Sequence, residues 1–400
     1  MEILVVAPIF LHRDASAGGE TINFYLDYLA TRNHRVYTIS QTLPAVKEKM
    51  AHCYLVSLDT SFRRRLEKLK KGWGWIFNPG QKYLYKTSAC LRQAVFAQMK
   101  QMKEDRIQPQ LIVLETVSAY LWIDEVRIMF PQAKIVADVH DIGYQGTYNR
   151  LRIENNPWKR YLRERFFHYA KRNEVAALTK VDFIIVQNPT NKGLLLKNQQ
   201  LLEEKFVYIS PYYTQGYKHN WQGNYDILFY GLMNRPENYM SALWFIDNVM
   251  PRLPAKFRFI VMGGKPVSEL QARANERIIV TGFVSNEEVQ ENFEQAFCFA
   301  CPLLFGSGIK TKLLTAFATG MPVLTNAIGI EGIAGKHEKD YFHCETAEEY
   351  SRYIQELADD NNLYHRMEQA ALQVVDRDYN LSRSQEDYER ALLALVNQGG

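Results

Sequence analysis

The chain has 400 residues, of which 47% are hydrophobic and 23% are charged, and its formal net charge is +4. These values describe a globular chain that is too long for one comfortable core, so two domains are expected. No apolar run approaches the roughly 18 residues that span a bilayer, and the first ten residues predict a strand rather than a signal peptide. A membrane-spanning or secreted protein is therefore not expected.

The first half of the chain alternates apolar runs with helical patterns. Ile3–Ala7 predicts a buried strand, Gly18 and Gly19 precede a helical pattern, and residues 36–40 predict the next strand. This order is that of a βαβ unit. The two glycines would lie at a helix N-terminus, which can face a phosphate group. Further strands are predicted at residues 111–114, 134–139 and 183–186.

A basic segment interrupts this pattern. Arg63–Lys86 holds eight lysines and arginines against one acid, with Trp73, Trp75 and Tyr83 among them. Aromatic and cationic residues together suit an anionic membrane surface, and a solvated helical insertion is an equal alternative. Nucleic acid is not an expected partner. The expected location is the cytoplasm, with peripheral contact to the inner face of the membrane through this segment.

The candidate catalytic residues are His140 and Asp141, which follow a predicted strand directly. In open parallel sheets, ligands bind outside the carboxyl ends of the strands. Histidine acts as an acid or a base near neutral pH. A structural role for a single histidine is the alternative.

The cysteine spacing raises the question of a metal. Cys298 and Cys301 have CxxC spacing, but they lie in an apolar strand whose side chains point to opposite faces. We predict buried core cysteines, no metal site and no cofactor, in a reducing compartment.

The second half repeats the alternation of strands and helices. The sequence predicts two doubly wound α/β domains facing a cleft, the usual place for a ligand. The predicted boundaries are residues 1–210, a linker at 211–224, a second domain at 225–377, and a final helix at about 378–400 that packs on the first domain.

Residues 301–326 predict a strand, a glycine loop, a helix and a further strand. Gly306 and Gly308 allow close approach of a ligand, and the helix would begin near Ile309. Lys310 and Lys312 lie in its first turn, where cations are unfavourable unless an anion binds. A phosphate site at this helix N-terminus is therefore predicted, with an ordinary strand–turn–helix as the alternative.

Several motifs of the second half together resemble a known family. They are Gly231-Leu232-Met233 before Pro236-Glu237-Asn238, Val280-Thr281-Gly282-Phe283-Val284, Gly306-Ser307-Gly308-Ile309-Lys310 before Lys312-Leu313-Leu314, and Ala318-x-Gly320-x-Pro322-Val323. In this order and spacing, they resemble the C-terminal domain of GT-B glycosyltransferases, with most similarity to family 4 (glycosyl transferases group 1), which is retaining and metal-independent.

The resemblance implies a nucleotide-sugar donor, UDP- or GDP-linked, and a glycan or lipid-linked acceptor in the synthesis of cell-surface polysaccharide or glycoconjugate. His140 would lie beside the donor sugar. The implied donor-binding residues are Gly18, Gly19, Gly231, Arg235, Gly282, Phe283, Val284, Gly306, Ser307, Gly308, Ile309, Lys310, Lys312, Thr315 and Glu331. The cations and helix ends would stabilise the departing diphosphate.

The chain departs from the family at one pair of positions. The family carries Glu-x7-Glu where this sequence has Ser307 and Thr315, and a hydroxyl cannot replace the bidentate grip of a carboxylate on ribose. Glu331 is a candidate for that contact, or for capping a helix after Gly332. Two alternatives follow: an inactive GT-B partner of another transferase, and a nucleotide-sugar epimerase. The epimerase is the weaker alternative, because no cluster of carboxylates for proton transfer is evident in the sequence.

Overall fold

The computed structural model describes residues 1–10, 17–41, 53–56, 89–152, 154–214, 216–306 and 308–397. Arg63–Lys86 and Ser307 lie outside these residues, so the functions proposed for them stay predictions. The chain forms two compact units. The first is Met1–Ile209 together with Ser382–Gly400, and the second is Ser210–Leu381.

The first unit is built on a seven-stranded parallel sheet with the strand order β3-β2-β1-β4-β5-β6-β7. Its strands are β1 (Glu2–Phe10), β2 (Arg35–Gln41), β3 (Cys53–Val56), β4 (Leu111–Glu115), β5 (Lys134–Val139), β6 (Phe183–Val186) and β7 (Phe206–Tyr208). The central strands are continuous apolar runs because both of their faces are covered by helices.

Helices connect these strands and cover the sheet. They are α1 (Ala17–Thr31), α2 (Ala89–Glu104), α3 (Thr116–Tyr120), α4 (Ile123–Met129), α5 (Gly143–Arg152), α6 (Pro157–Leu178) and α7 (Pro189–Leu196). The last helix of the chain, α14 (Leu381–Asn397), also packs on this unit: Tyr388 stacks on Tyr25 with ring centroids 4.3 Å apart.

The second unit contains a six-stranded parallel sheet with the order β10-β9-β8-β11-β12-β13. Its strands are β8 (Asp226–Tyr230), β9 (Arg258–Met262), β10 (Ile278–Gly282), β11 (Cys298–Cys301), β12 (Val323–Thr325) and β13 (Phe342–His343). Its helices are α8 (Pro236–Asn248), α9 (Ser268–Gln271), α10 (Asn286–Gln295), α11 (Thr311–Thr319), α12 (Ala347–Asp359) and α13 (Asn361–Asp378).

The α/β fold class is confirmed, with one parallel sheet in each unit. Most strands lie where apolar runs predicted them. Three short strands, β3, β7 and β13, were not predicted; β13 has two residues and is defined only by its pairing with β12. Among the described residues, no helix combines the length and the apolarity that crossing a bilayer requires.

The segment predicted as a linker, residues 211–224, belongs to the second unit. The amide of Tyr213 donates to the carbonyl of Tyr379 at 2.9 Å. Tyr217 and Trp221 pack against the core, and the Trp221 ring lies 4.5 Å from that of Tyr364. Aromatic side chains thus hold this polar, irregular stretch against the core of the second unit. The amino-acid composition of the stretch did not indicate this packing.

Candidate functional site

In the first unit, three ionisable side chains meet at the carboxyl edge of the sheet. Glu115 ends β4 and Asp138 lies beside it in the register of β5. His140 follows β5 directly, and its Nε2 lies 2.8 Å from Oε2 of Glu115 and 3.9 Å from Oδ1 of Asp138. The structure therefore overturns our premise that the chain has no carboxylate cluster, because adjacent strands join residues 25 positions apart.

The electrostatics of this cluster favour the imidazolium form of His140. Burial alone lowers the pKa of His140, but the charges of Asp138, Glu115 and Asp141 and the hydrogen bond to Glu115 outweigh it and raise the pKa to about 10. Burial raises the pKa of Asp138, because its charged form loses hydration.

The other predicted residues of the first unit lie as follows. Asp141 is exposed, and the backbone carbonyl of His140 accepts a hydrogen bond from the Asn191 amide at 3.2 Å. Gly18 and Gly19 lie in the first turn of α1.

In the second unit, the glycine loop leads into α11 as predicted, with the helix beginning two residues later, at Thr311. Lys310 is the N-cap residue, and its side chain does not cap the helix. Its ammonium group instead donates to the carbonyl of Gly308, whose backbone has φ of 74°, and lies 3.4 Å from Glu331. Residues 333–346, directly after Gly332, contain no helix, so the capping role considered for Glu331 is wrong; Glu331 pairs with Lys310.

Lys312 reaches the carboxyl end of β8 and the first turn of α8. Its Nζ donates to Oδ1 of Asn238 at 2.6 Å and lies 4.6 Å from the ring centroid of Phe229. A Cβ on Gly231 would come within 2.7 Å of Asn238 and 3.0 Å of Lys312 Nζ. Only glycine therefore leaves room for this contact at position 231.

The charges around Lys312 define an electropositive centre. Burial lowers the pKa of Lys312, and the positive charges of Lys310 and Arg235 lower it further against the opposing effects of Cys301 and Glu237. Arg235 is exposed at the N-cap of α8. Lys310 and Lys312 thus lie at the N-terminus of α11, and the charge of Arg235 acts on Lys312, an arrangement that suits an anion.

An aromatic residue lies at the carboxyl end of β10, two strands from β8 in the sheet. Phe283 follows β10 and is 89% exposed, which is unusual for a phenylalanine. A Cβ on Gly264 would lie 3.9 Å from both Phe283 and Leu232. These apolar groups, with Gly282 and Val284 beside them, form a surface on which a planar ring can stack.

The hydroxyl of Thr315 is engaged inside the protein. It donates to the carbonyl of Thr311 at 3.1 Å and shares a short hydrogen bond with the hydroxyl of Tyr213. Thr315 itself is only 8% exposed. Its oxygen therefore has little capacity left for a ligand.

The structure brings most predicted residues of the second unit to one edge of its sheet. Sequence reasoning missed Glu115, Asp138, Asn238 and Tyr213. Asn238 could have been identified from the sequence, because it lies in one of the motifs on which the family resemblance rests. Cys298 and Cys301 are buried, with thiol pKa values raised by burial, as expected for core cysteines.

The sequence of the second unit is similar to that of known proteins. Residues 224–360, about a third of the chain, match the family model described as "Glycosyl transferases group 1". An "Uncharacterized 44.6 kDa protein in cps region" of Klebsiella pneumoniae is 28% identical over 125 residues, which cover 28% of this chain and 32% of that protein. The match therefore spans about a third of the relative's length.

Solved structures match over nearly the whole chain. Sucrose-phosphate synthase from Thermosynechococcus elongatus has a TM-score of 0.73 at 15% identity, with 100% of both chains covered. WaaG, a glycosyltransferase involved in lipopolysaccharide biosynthesis, has 0.65 at 14% identity, also with 100% of both covered. Anabaena Alr3699/HepE in complex with UDP-glucose has 0.64 at 13%, with 98% of this chain and 100% of that one covered.

These likenesses define the class by its fold: the chain has the two-unit α/β architecture of GT-B proteins. Residues 224–360 of its second unit match the family model described as "Glycosyl transferases group 1". The predicted resemblance to GT-B glycosyltransferases is thereby confirmed.

Proposed function

We propose that this protein is a retaining glycosyltransferase. It transfers a sugar from a UDP- or GDP-linked donor to a glycan or lipid-linked acceptor in cell-surface polysaccharide or glycoconjugate synthesis. Acceptor delivery at the inner face of the membrane would involve the basic segment Arg63–Lys86. No cofactor beyond the donor is required for the transfer.

The observation that carries this proposal is the cation set at the N-terminus of α11. Lys310, Lys312 and Arg235 supply positive charge beside backbone N–H groups, and a nucleoside diphosphate is the anion that a glycosyl donor releases. These groups stabilise the leaving group without a metal ion bound to it. Phe283 supplies a stacking surface for the base.

The neighbours support the same substrate class. HepE is solved with UDP-glucose, and WaaG takes part in lipopolysaccharide biosynthesis, while the K. pneumoniae relative is encoded in a cps region. In the first unit, His140 is proposed as a catalytic residue beside the donor sugar, with Glu115 as its hydrogen-bond partner.

The test is a panel of UDP-, GDP-, ADP- and dTDP-sugars, scored by calorimetric binding and by release of the nucleoside diphosphate. We expect one donor to bind. Lys312→Met should weaken its binding about 10- to 100-fold, because a charged hydrogen bond contributes about 1.5–3 kcal/mol. His140→Ala should reduce release of the diphosphate more than it reduces binding.

The matched control is Lys339→Ala, which removes an exposed lysine of the same unit and should leave binding unchanged. Equal loss in both variants would show that Lys312 acts only through net charge. Failure of every donor to bind wild type would contradict the proposal.

One observation favours a second function, that of a catalytically inactive partner of another transferase. Thr315 occupies the position of a family glutamate, and its hydroxyl is already bonded to Thr311 and Tyr213. An inactive partner predicts no turnover of any donor alone and an effect only when an active transferase is present. The same panel tests the epimerase alternative, whose product is an isomerised donor formed without acceptor.

A further inference from the structure

Helix α5 and the first part of α6 form a helical hairpin in the first unit, which we define as residues 143–171. The ring of Phe167 on α6 lies beside that of Tyr148 on α5, with centroids 5.5 Å apart. Nearer the turn, the guanidinium of Arg163 donates to the carbonyl of Arg150 at 2.9 Å. The two antiparallel helices therefore pack on each other as one element.

The hairpin projects from the carboxyl edge of the first sheet. Glu174, which follows the hairpin in α6, accepts hydrogen bonds from the amides of Gly143 and Tyr144 at 2.9 Å each, shortly after the end of β5. Because β5 and β6 are parallel, the helix that connects them runs back toward the amino edge. The stretch of α6 from Pro157 to Glu174 is about 25 Å long at a rise of 1.5 Å per residue, so its far end lies well beyond the carboxyl edge.

The outer surface of the hairpin exposes aromatic side chains. Trp158 is 68% exposed, Tyr161 48% and Tyr148 39%, although tryptophan is ordinarily among the more buried residues. Trp158 stacks on Tyr161 with ring centroids 6.0 Å apart, and the guanidinium of Arg165 lies 5.8 Å from the Tyr161 ring. Several apolar rings exposed together mark an interaction surface.

The same surface is strongly basic. Residues 143–171 hold seven lysines and arginines against two glutamates. Lys159 and Arg160 lie in the first turn of α6 and are exposed, and within the described part of the chain neither has an ion pair. Cations at a helix N-terminus oppose the helix dipole. Their position is therefore unfavourable for the helix alone, and an anionic partner would offset that cost.

We propose that this hairpin binds the surface of a membrane that contains anionic phospholipids, with Trp158 and Tyr161 at the level of the headgroups. Tryptophan and tyrosine favour the membrane–water interface, and lysine and arginine are attracted to anionic headgroups. A projecting surface suits a broad partner, whereas a ligand is ordinarily held in a concave site. The hairpin is separate from Arg63–Lys86, and its binding brings the sheet edge that carries His140 toward the membrane.

The test measures vesicle binding by the full-length chain without donor or acceptor, so its failure is distinguishable from failure of the proposed glycosyl transfer. Vesicles of phosphatidylcholine alone are compared in a sedimentation assay with vesicles that also contain phosphatidylglycerol. We expect binding only to the anionic vesicles. Binding should weaken as the salt concentration rises, because salt screens the attraction between the basic residues and the headgroups.

The double variant Lys159→Gln/Arg160→Gln should bind anionic vesicles about 30-fold more weakly, since each basic residue near such a surface contributes about fivefold. The matched control is Lys100→Gln/Lys103→Gln, which removes two exposed lysines of α2, the helix that leads to the amino edge of the same sheet. The control should bind nearly as wild type does. Both variants should melt within about 2 °C of wild type, because they change only exposed side chains.

Tryptophan fluorescence locates the hairpin itself. The chain has six tryptophans, and Trp158→Phe removes the signal of one of them while keeping an aromatic ring on the hairpin. Brominated acyl chains quench tryptophans that reach the membrane interface. We expect bound Trp158→Phe to be quenched less than bound wild type, because Trp158 contributes part of the quenched signal.

Four results would overturn the proposal. They are no binding of wild type to anionic vesicles, wild-type affinity in Lys159→Gln/Arg160→Gln, an equal loss in the control, and undiminished quenching in Trp158→Phe. Wild-type affinity in the first variant would assign membrane binding to another segment, such as Arg63–Lys86. Binding of wild type to a soluble acidic polysaccharide but not to vesicles would assign the hairpin to an anionic glycan instead.

Discussion

At the scale of single residues, Thr315 differs most from what the family resemblance implies. Its hydroxyl donates to Thr311 and is hydrogen-bonded to Tyr213, so its proton and one of its two lone pairs are engaged inside the protein. Tyr213 lies 102 positions away along the chain, in the segment that sequence reasoning assigned to a linker. No spacing rule connects the two residues, and this contact could not be predicted from the sequence.

A substitution separates the structural role of Thr315 from a ligand-binding role. Thr315→Val should lower the melting temperature slightly, because it removes the hydrogen bond between Thr315 and Tyr213 at a cost of about 1 kcal/mol. Affinity for the nucleotide found in the donor panel should stay within about threefold, which is under 1 kcal/mol. Calorimetric titration with the nucleotide measures the affinity of Thr315→Val and of Lys312→Met, and only Lys312→Met should lose binding. A tenfold loss in Thr315→Val would instead place its oxygen against the ligand.

The cluster of Glu115, Asp138 and His140 shows a second limit of prediction from the sequence, also at the scale of single residues. Glu115 and Asp138 each end or nearly end a predicted strand, so the sequence placed both at a carboxyl edge. Their contact requires β4 and β5 to be neighbours in register, which the sheet supplies. The sequence analysis did not apply the rule that adjacent parallel strands bring their last residues together, which would have placed Glu115 beside Asp138.

At the scale of elements, the docking of α14 depends on one buried glutamate. Glu389 accepts a hydrogen bond from His34 at 2.9 Å and lies 3.2 Å from both Arg32 and Tyr28. Burial by itself raises the pKa of Glu389, but the bonds from His34 and Tyr28 and the charge of Arg32 outweigh it and lower the pKa. The ionised carboxylate therefore stabilises the attachment of this helix.

The pH dependence follows from the lowered pKa. The stabilisation is present above the unfolded pKa of glutamate, about 4.3, and is lost as the pH falls through the lower folded value. Glu389→Gln should therefore reduce the free energy of unfolding by about 1–3 kcal/mol at pH 7. The difference from wild type should shrink at pH values below about 4.

Urea unfolding at several pH values measures this effect. The control is Glu386→Gln, which changes an exposed acid of the same helix and should shift stability by less than about 0.5 kcal/mol at any pH. A pH-independent loss in Glu389→Gln would contradict the role of its charge.

At the scale of the whole molecule, the C-terminal residues belong to the same compact unit as the N-terminal residues. The first unit is completed by Ser382–Gly400, whereas the second unit is the continuous segment Ser210–Leu381. Besides Tyr388, the returning helix buries Leu392 and Leu395. Each such side chain contributes about 1.5–3 kcal/mol, and together they approach the stability of an entire domain, about 5–15 kcal/mol.

Deletion of residues 382–400 should therefore destabilise the first unit selectively. We expect its calorimetric transition to fall by about 10 °C or to disappear, and the second unit to keep its own transition and its resistance to protease. Deletion of residues 398–400 is the control and should leave both transitions unchanged. Loss of both transitions in the longer deletion, or of neither, would contradict this division of the chain.

The sequence by itself determined the local elements and the class of the protein. Continuous apolar runs specify buried parallel strands such as Lys134–Val139, and the order of motifs from Gly231 to Gly320 specifies the resemblance, because both depend on residues close together in the chain. The tertiary structure decided which strand ends meet. The Glu115–Asp138–His140 cluster, the Lys312–Asn238 bond and the Tyr213–Thr315 bond each join distant positions. Such contacts arise only when the sheet order and register are fixed, and those depend on the packing of the whole unit.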